Sequence, residues 1–150
     1  MRSTLTRFAP RRGLLPLIGL LALILAACSS TPSVTPLPSG AEPPANCPRV
    51  EGGVIDFSAQ NLEFSAPCMV ANAGEAFTIH FTNNESLPHD VAVYRDSTRA
   101  NEIMRGDPVT TQGDSEDYPV EALDAGEYYF DCTIHPADMN GTLYVVAAGG

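Results

Sequence analysis

Four side chains that can bind a soft metal ion stand in two short segments of the chain. The first segment, Leu-Pro-His, ends at His89, and the second runs from Cys132 through His135 to Met139. A thiolate, two imidazoles and an axial thioether select copper and suit electron transfer. Structural zinc prefers additional cysteine or histidine ligands and no methionine. The sequence therefore predicts one copper site with these four ligands.

Each of these side chains also has an ordinary role when it is considered alone. A lone histidine is commonly a surface residue, a methionine commonly fills gaps in a core, and Cys132 could be a buried free thiol. The joint spacing favours the metal site. The third histidine, His80, shares a polar strand face with two threonines and is interpreted as a surface residue. Met69 and Met104 are interpreted as packing or loop residues.

A framework of short strands is predicted to position the ligands. Residues 75–82 alternate between apolar and polar side chains, which is typical of a half-buried strand. A short helix is predicted within residues 97–104 and a loop over residues 107–113. Six to eight short strands separated by turns indicate an all-β sandwich with antiparallel strands. The other predicted strands are residues 54–58, 62–65, 90–95, 117–122, 127–132 and 142–147.

From about residue 74 to 146 the chain resembles the cupredoxins, small blue copper proteins of the plastocyanin, amicyanin and auracyanin kind. The resemblance implies a Greek-key β-sandwich that holds one type 1 copper through His89, Cys132, His135 and Met139. The segments that carry it are Phe81-Thr-Asn-Asn, Leu87-Pro-His89, Ala125-Gly-Glu-Tyr-Tyr-Phe and Cys132-x-x-His135-Pro…Met139-x-Gly141-Thr-Leu.

The chain departs from the family pattern at two positions. The spacing from His135 to Met139 is longer than in amicyanin-like loops and shorter than in plastocyanin-like loops. Asp90 stands where the family usually has an asparagine that ties the ligand loops together near the residue after the cysteine, here Thr133. An ionised Asp90 accepts hydrogen bonds but donates none, and its charge is expected to favour Cu(II) and lower the potential.

An apolar rim is expected around the edge of His135. Leu87, Pro88 and Pro136 flank the two histidines in sequence. Such a rim would let a redox partner approach without a water layer, and its small area would favour fast release. The same side chains could instead shield the copper from solvent, and both roles are compatible.

Residues 1–27 have the features of a bacterial lipoprotein signal peptide. A basic start and an apolar run lead to small residues before Cys28, as in a lipobox. Cys28 is therefore predicted to carry a lipid, and residues 28–46, rich in proline and serine, to form a tether. The alternative is an ordinary signal peptide cleaved at an alanine-rich site. Residues 47–150 form the predicted copper domain, anchored on the extracytoplasmic face of a bacterial cell membrane.

Two cysteines remain after Cys28 is assigned to lipid and Cys132 to metal. Outside the cytoplasm, Cys47 and Cys68 are expected to form a disulfide. The alternative is a pair of free thiols, which is less compatible with an oxidising compartment.

The chain carries 18 acidic residues against 8 basic ones, all of them arginine. Four arginines belong to the signal segment, so the remainder has a net charge of 4 − 18 = −14. This charge argues against nucleic acid as a partner. It suits a basic redox partner, such as a cytochrome or a membrane redox complex, although it also serves solubility.

The expected function is a monomeric, membrane-tethered carrier of single electrons and not an enzyme. Multicopper oxidases and nitrite reductases need further histidine pairs, and this chain has only 3 histidines. A binuclear copper site would need a second cysteine near Cys132. The main alternative is a copper-binding or copper-delivery lipoprotein without a redox role.

Overall fold

A computed structural model describes residues 42–147, which form nine β-strands. The signal segment, Cys28 and most of the predicted tether lie outside these residues. Within residues 42–147 no helix has the length and apolar character needed to cross a bilayer. The strands are β1 Val54–Gln60, β2 Glu63–Phe64, β3 Cys68–Asn72, β4 Phe77–Asn83, β5 Ala92–Tyr94, β6 Glu102–Arg105, β7 Ser115–Val120, β8 Gly126–Asp131 and β9 Asn140–Val146.

The strands form two sheets, which confirms the predicted all-β sandwich. The four-stranded sheet has the order β2-β1-β4-β7, and the five-stranded sheet has the order β3-β9-β8-β5-β6. The predicted antiparallel pairing is wrong for two pairs: β1 pairs with β4 and β3 with β9 in parallel, while the other pairs are antiparallel, so both sheets are mixed. The strand count exceeds the predicted six to eight.

The helix predicted within residues 97–104 is wrong. A turn occupies the first part of this segment, and β6 begins at Glu102. Pairing with β5 places Ala92 opposite Arg105 and Val93 opposite Met104. A helix this short is marginal by itself, whereas pairing with β5 supplies backbone hydrogen bonds to the part of the segment from Glu102 onward.

The predicted alternation in β4 matches its burial. Phe77, Ile79 and Phe81 are buried, while Thr78, His80 and Thr82 are partly exposed. Such a strand buries one face against the opposite sheet. The core that results includes Phe130, Cys132 and Met139, so two of the predicted metal ligands belong to it.

Cys47 and Cys68 form the predicted disulfide. It ties the segment that precedes β1 to the first residue of β3, across a separation of 21 residues. Closing a loop of this length contributes about 3 kcal/mol in the chain-entropy model. Cys132 is the free cysteine of the described residues, and it is buried.

Candidate metal centre

Three of the four predicted ligands converge on one point. The candidate ligand atoms of His89, Cys132 and His135 all lie within 4.8 Å of one another. The Cys132 Sγ is 3.8 Å from Nδ1 of each imidazole. His89 and Cys132 are fully buried, whereas His135 is half-buried. Residues 43 positions apart in the chain therefore meet as the donor set that the sequence predicted.

His89 is held by the backbone of a facing loop and by a buried amide. Its amide and carbonyl both pair with Val109, at 3.2 and 2.8 Å. The side chain of Asn83, itself fully buried, donates to the carbonyls of Leu87 at 2.7 Å and Val109 at 2.9 Å. The Oδ1 of the Asn83 side chain accepts the Glu85 N–H at 3.0 Å. Asn83 thus organises the loop that presents His89, a role that the sequence analysis missed.

The loop that carries the other ligands closes on itself. The Cys132 amide donates to the Met139 carbonyl at 2.9 Å, and the Met139 amide donates to the His135 carbonyl at 2.9 Å. These bonds return the chain, and Met139 is buried in the same hydrophobic core as Cys132. The fourth predicted ligand is therefore placed in the same closed loop as the second and third.

Asp90 links the two ligand-bearing segments. It is buried, and one carboxylate oxygen accepts the Thr133 amide at 2.6 Å while the other accepts the Thr133 hydroxyl. Both bonds require only an acceptor, so the carboxylate performs this link without the donor that an asparagine would add. The predicted tie between Asp90 and Thr133 is present.

Glu85 forms a carboxylate partner for the buried histidine. Its Oε1 lies 2.8 Å from His89 Nε2 and accepts the Leu62 amide, also at 2.8 Å. The pKa of Glu85 is lowered: the Leu62 hydrogen bond contributes most, burial opposes it, and the hydrogen bond with His89 adds to the lowering. Sequence analysis missed Glu85, although its position four residues before His89 was a usable signal.

The pKa of the Cys132 thiol is raised, because burial disfavours the thiolate. Backbone hydrogen bonds from Asp90, Ile134 and His135 oppose the shift without overcoming it. A metal ligand must be the thiolate, so binding displaces a proton from this sulfur. Hydrogen-bond donors already directed at the sulfur suit a thiolate once the metal is present.

A buried ion pair lies directly before Cys132. The Asp131 carboxylate is fully buried, and its Oδ2 is 2.8 Å from Arg99 Nε. The Arg99 guanidinium also covers the Tyr94 ring, 5.4 Å from the ring centroid. Burial raises the pKa of Asp131, and the charge of Arg99 partly offsets that shift. Sequence analysis did not identify this pair.

The predicted rim residues differ in their solvent exposure. Leu87 is 43% exposed, while Pro88 and Pro136 are half-buried. Ile134, next to His135 in sequence, is 40% exposed and was missed by the sequence analysis. Three large hydrophobic side chains are exposed in the described residues, and these two stand beside predicted ligands in the chain.

His80 lies outside the ligand cluster, as predicted. Its Nδ1 is 2.7 Å from Asp117 Oδ1 on the neighbouring strand; the His80 side chain is partly exposed and that of Asp117 largely exposed. Met69 is buried in the core, and Met104 packs against it from a half-buried position. The interpretation of these three residues therefore agrees with the structure.

Comparison with known proteins gives one family and a consistent fold. Residues 18–145 match the cupredoxin-like domain family. The methylamine utilization protein MauL of Methylophilus methylotrophus is 33% identical over 137 residues, which cover 91% of this chain and 70% of that protein.

Two solved structures share the fold at low identity. Reduced auracyanin from Roseiflexus castenholzii is 19% identical, with a TM-score of 0.56, over 65% of this chain and 99% of its own. Auracyanin A, a "blue" copper protein from Chloroflexus aurantiacus, is 19% identical, with a TM-score of 0.53 and the same coverage, 65% and 99%. These likenesses concern the arrangement of the strands.

Proposed function

The chain belongs to the cupredoxin-like family, and on this basis we propose that it is a membrane-tethered carrier of single electrons between larger redox proteins. Cupredoxins carry electrons and are not enzymes, and their cofactor is one copper ion. The observation that carries the proposal is the convergence of His89, Cys132 and His135 in one cluster.

The donor types of this cluster fit copper in both oxidation states. Bound copper supplies a one-electron couple between Cu(I) and Cu(II). The thiolate of Cys132 and the thioether of Met139 suit the reduced ion, and imidazoles serve both states. Hydrogen bonds at Asn83, Asp90 and the closed 132–139 loop hold the donors, so the protein itself resists ligand movement during a change of charge.

The outward side of the site is proposed to be the place of electron exchange. His135 is half-buried, whereas His89 is fully buried, so the His135 ring is the ligand closer to solvent. We assign Leu87, Pro88, Ile134 and Pro136 to the docking rim, of which Leu87 and Ile134 are the most exposed. An apolar rim of small area allows a partner to dock closely and leave quickly.

The partner is proposed to carry a basic surface. All 18 acidic residues of the chain and 4 arginines fall within residues 42–147. Two of those arginines, Arg99 and Arg105, are paired with Asp131 and Glu102. A strong negative field attracts a basic cytochrome or membrane redox complex and speeds encounter in a salt-dependent way.

A lipid on Cys28 is proposed to hold the protein on the extracytoplasmic face of a bacterial cell membrane. The support is the lipobox-like sequence and the proline- and serine-rich residues 28–46. In cells, Cys28→Ser is expected to block processing or to release the protein from the membrane fraction. Normal processing with full membrane retention would show that the anchor lies elsewhere.

The central experiment is spectroscopic. The copper-loaded protein is expected to show a strong visible thiolate-to-Cu(II) band and a type 1 EPR signal, and Cys132→Ser is expected to lose both. His80→Asn is the matched control, because His80 lies outside the cluster, and it should keep both signals. Tight Cu(I) binding without a blue band would instead favour the copper-delivery alternative.

A further inference from the structure

We propose that Glu85 is a positioning residue for the metal centre, and that it favours the oxidised ion by holding His89 in one tautomer beside a negative charge. The inference rests on the proposed ligand set. Neither the resemblance to cupredoxins nor the ligand prediction included Glu85.

The two ring nitrogens of His89 face different groups. Nδ1 lies 3.8 Å from Cys132 Sγ, and Nε2 lies 2.8 Å from Glu85 Oε1. An ionised carboxylate only accepts, so the Nε2 must carry the hydrogen and the Nδ1 lone pair is left for a metal. A carboxylate that accepts the outer N–H of a ligating histidine fixes the ring and makes it a stronger donor.

Glu85 is itself held from two directions. Its carboxylate accepts the Leu62 amide at 2.8 Å, and its own amide donates to Asn83 Oδ1 at 3.0 Å. Leu62 and Asn61 form the turn between β1 and β2 with φ values of 59° and 58°. Left-handed backbone is uncommon for residues other than glycine, especially for leucine, so this turn aims the amide at Glu85 against a local preference.

The other histidine of the cluster lacks this arrangement. Among the described residues, the hydrogen-bond partner seen for the His135 ring is Cys132 Sγ alone. A carboxylate is therefore hydrogen-bonded to one of the two imidazoles, the buried one. Such a charge stabilises Cu(II) more than Cu(I), so Glu85 is expected to lower the midpoint potential.

The test compares Glu85→Gln with Glu63→Gln in the full mature protein. Both variants remove one carboxylate from neighbouring parts of the fold, but Glu63 is exposed, and the carboxylate partner of the His89 ring is Glu85. Cu(II) affinity, measured by competition with a chelator, is expected to fall about 10- to 100-fold in Glu85→Gln. Each tenfold loss that Cu(I) does not share raises the midpoint potential by about 59 mV.

A measurement on the metal-free protein distinguishes the positioning of the His89 ring from a general effect of net charge. In the metal-free wild type, the ¹⁵N spectrum of His89 is expected to show the Nε2–H tautomer, and Glu85→Gln is expected to show a mixture. Glu63→Gln should retain the parental tautomer, affinity and potential. Thermal unfolding of the metal-free variants establishes that each is folded.

Two results would overturn the proposal. In the first, Glu85→Gln keeps the parental tautomer, Cu(II) affinity and potential. In the second, Glu63→Gln shifts affinity and potential as much as Glu85→Gln does, which would make the effect one of net charge. In both cases a blue wild-type protein leaves the electron-carrier proposal intact. A wild type that binds copper without the blue band would instead overturn that proposal and this inference together.

Discussion

The two histidines of the cluster have opposite surroundings. His89 is fully buried, bonded to Glu85 through its ring and to Val109 through its backbone. His135 is half-buried and sits between Ile134 and Pro136 in a loop at the protein surface. An electron carrier needs one side of its site to be rigid and another to be reachable, and this chain divides these requirements between two ligands of the same type.

The largest expected effect comes from replacing each histidine by glycine. His135→Gly should open a cavity that added imidazole can enter, so the blue band should return with imidazole. His89→Gly leaves a cavity inside the core with Glu85 unpaired, and imidazole should restore little colour. Absorption titrations with imidazole measure both. Equal rescue of the two variants would show that the buried and outward sides are not distinct.

The next prediction tests the rigidity of the buried side of the site, at the ion pair that Arg99 forms with Asp131, the residue directly before Cys132. Arg99→Met leaves the Asp131 carboxylate buried without its partner. The free energy of unfolding is expected to fall by about 3 kcal/mol, the lower end of the range for broken buried pairs, because Arg99 is 35% exposed. Arg105→Met removes a solvent-exposed pair with Glu102 and should cost about 0–1 kcal/mol. Urea unfolding of the metal-free proteins measures the loss of stability in each variant.

The outward side is tested by placing a charge on the rim. Leu87→Asp is expected to slow electron self-exchange about tenfold, since desolvating one charge in the contact costs at least about 1.4 kcal/mol. Val54→Asp is the matched control, because Val54 and Leu87 are both 43% exposed and Val54 lies on β1. The midpoint potential should change little in either variant. Equal rates in both would place the docking surface away from Leu87.

The smallest expected effect is a pH dependence of the unfolding free energy that comes from Glu85, on the buried side of the site. The pKa of Glu85 is lowered by folding from an ordinary value of 4.5. Its ionised form therefore stabilises the folded state above about pH 4.5, and this contribution is lost as the pH falls through the folded pKa. The difference in unfolding free energy between wild type and Glu85→Gln should shrink over that range. A difference independent of pH would assign the effect of the variant to packing.

Local sequence determined the ligand set and the fold class. Cys132, His135 and Met139 lie within one loop, so their donor types and spacing are visible without a structure. The alternation in β4 follows from the geometry of a strand, whose successive side chains point to opposite faces. The disulfide followed from counting, because Cys47 and Cys68 were the two cysteines left without another role.

Only the tertiary structure decided which groups support those ligands. Glu85 meets Leu62 across 23 residues, and Asn83 meets Val109 across 26. A hydrogen bond between distant residues leaves no periodic pattern, so its partner cannot be read from either segment alone. The end of the segment predicted as a helix became part of β6 for the same reason, since its hydrogen bonds are made with β5. Residue types thus determined which metal the site fits, and long-range pairing decided how firmly each ligand is held.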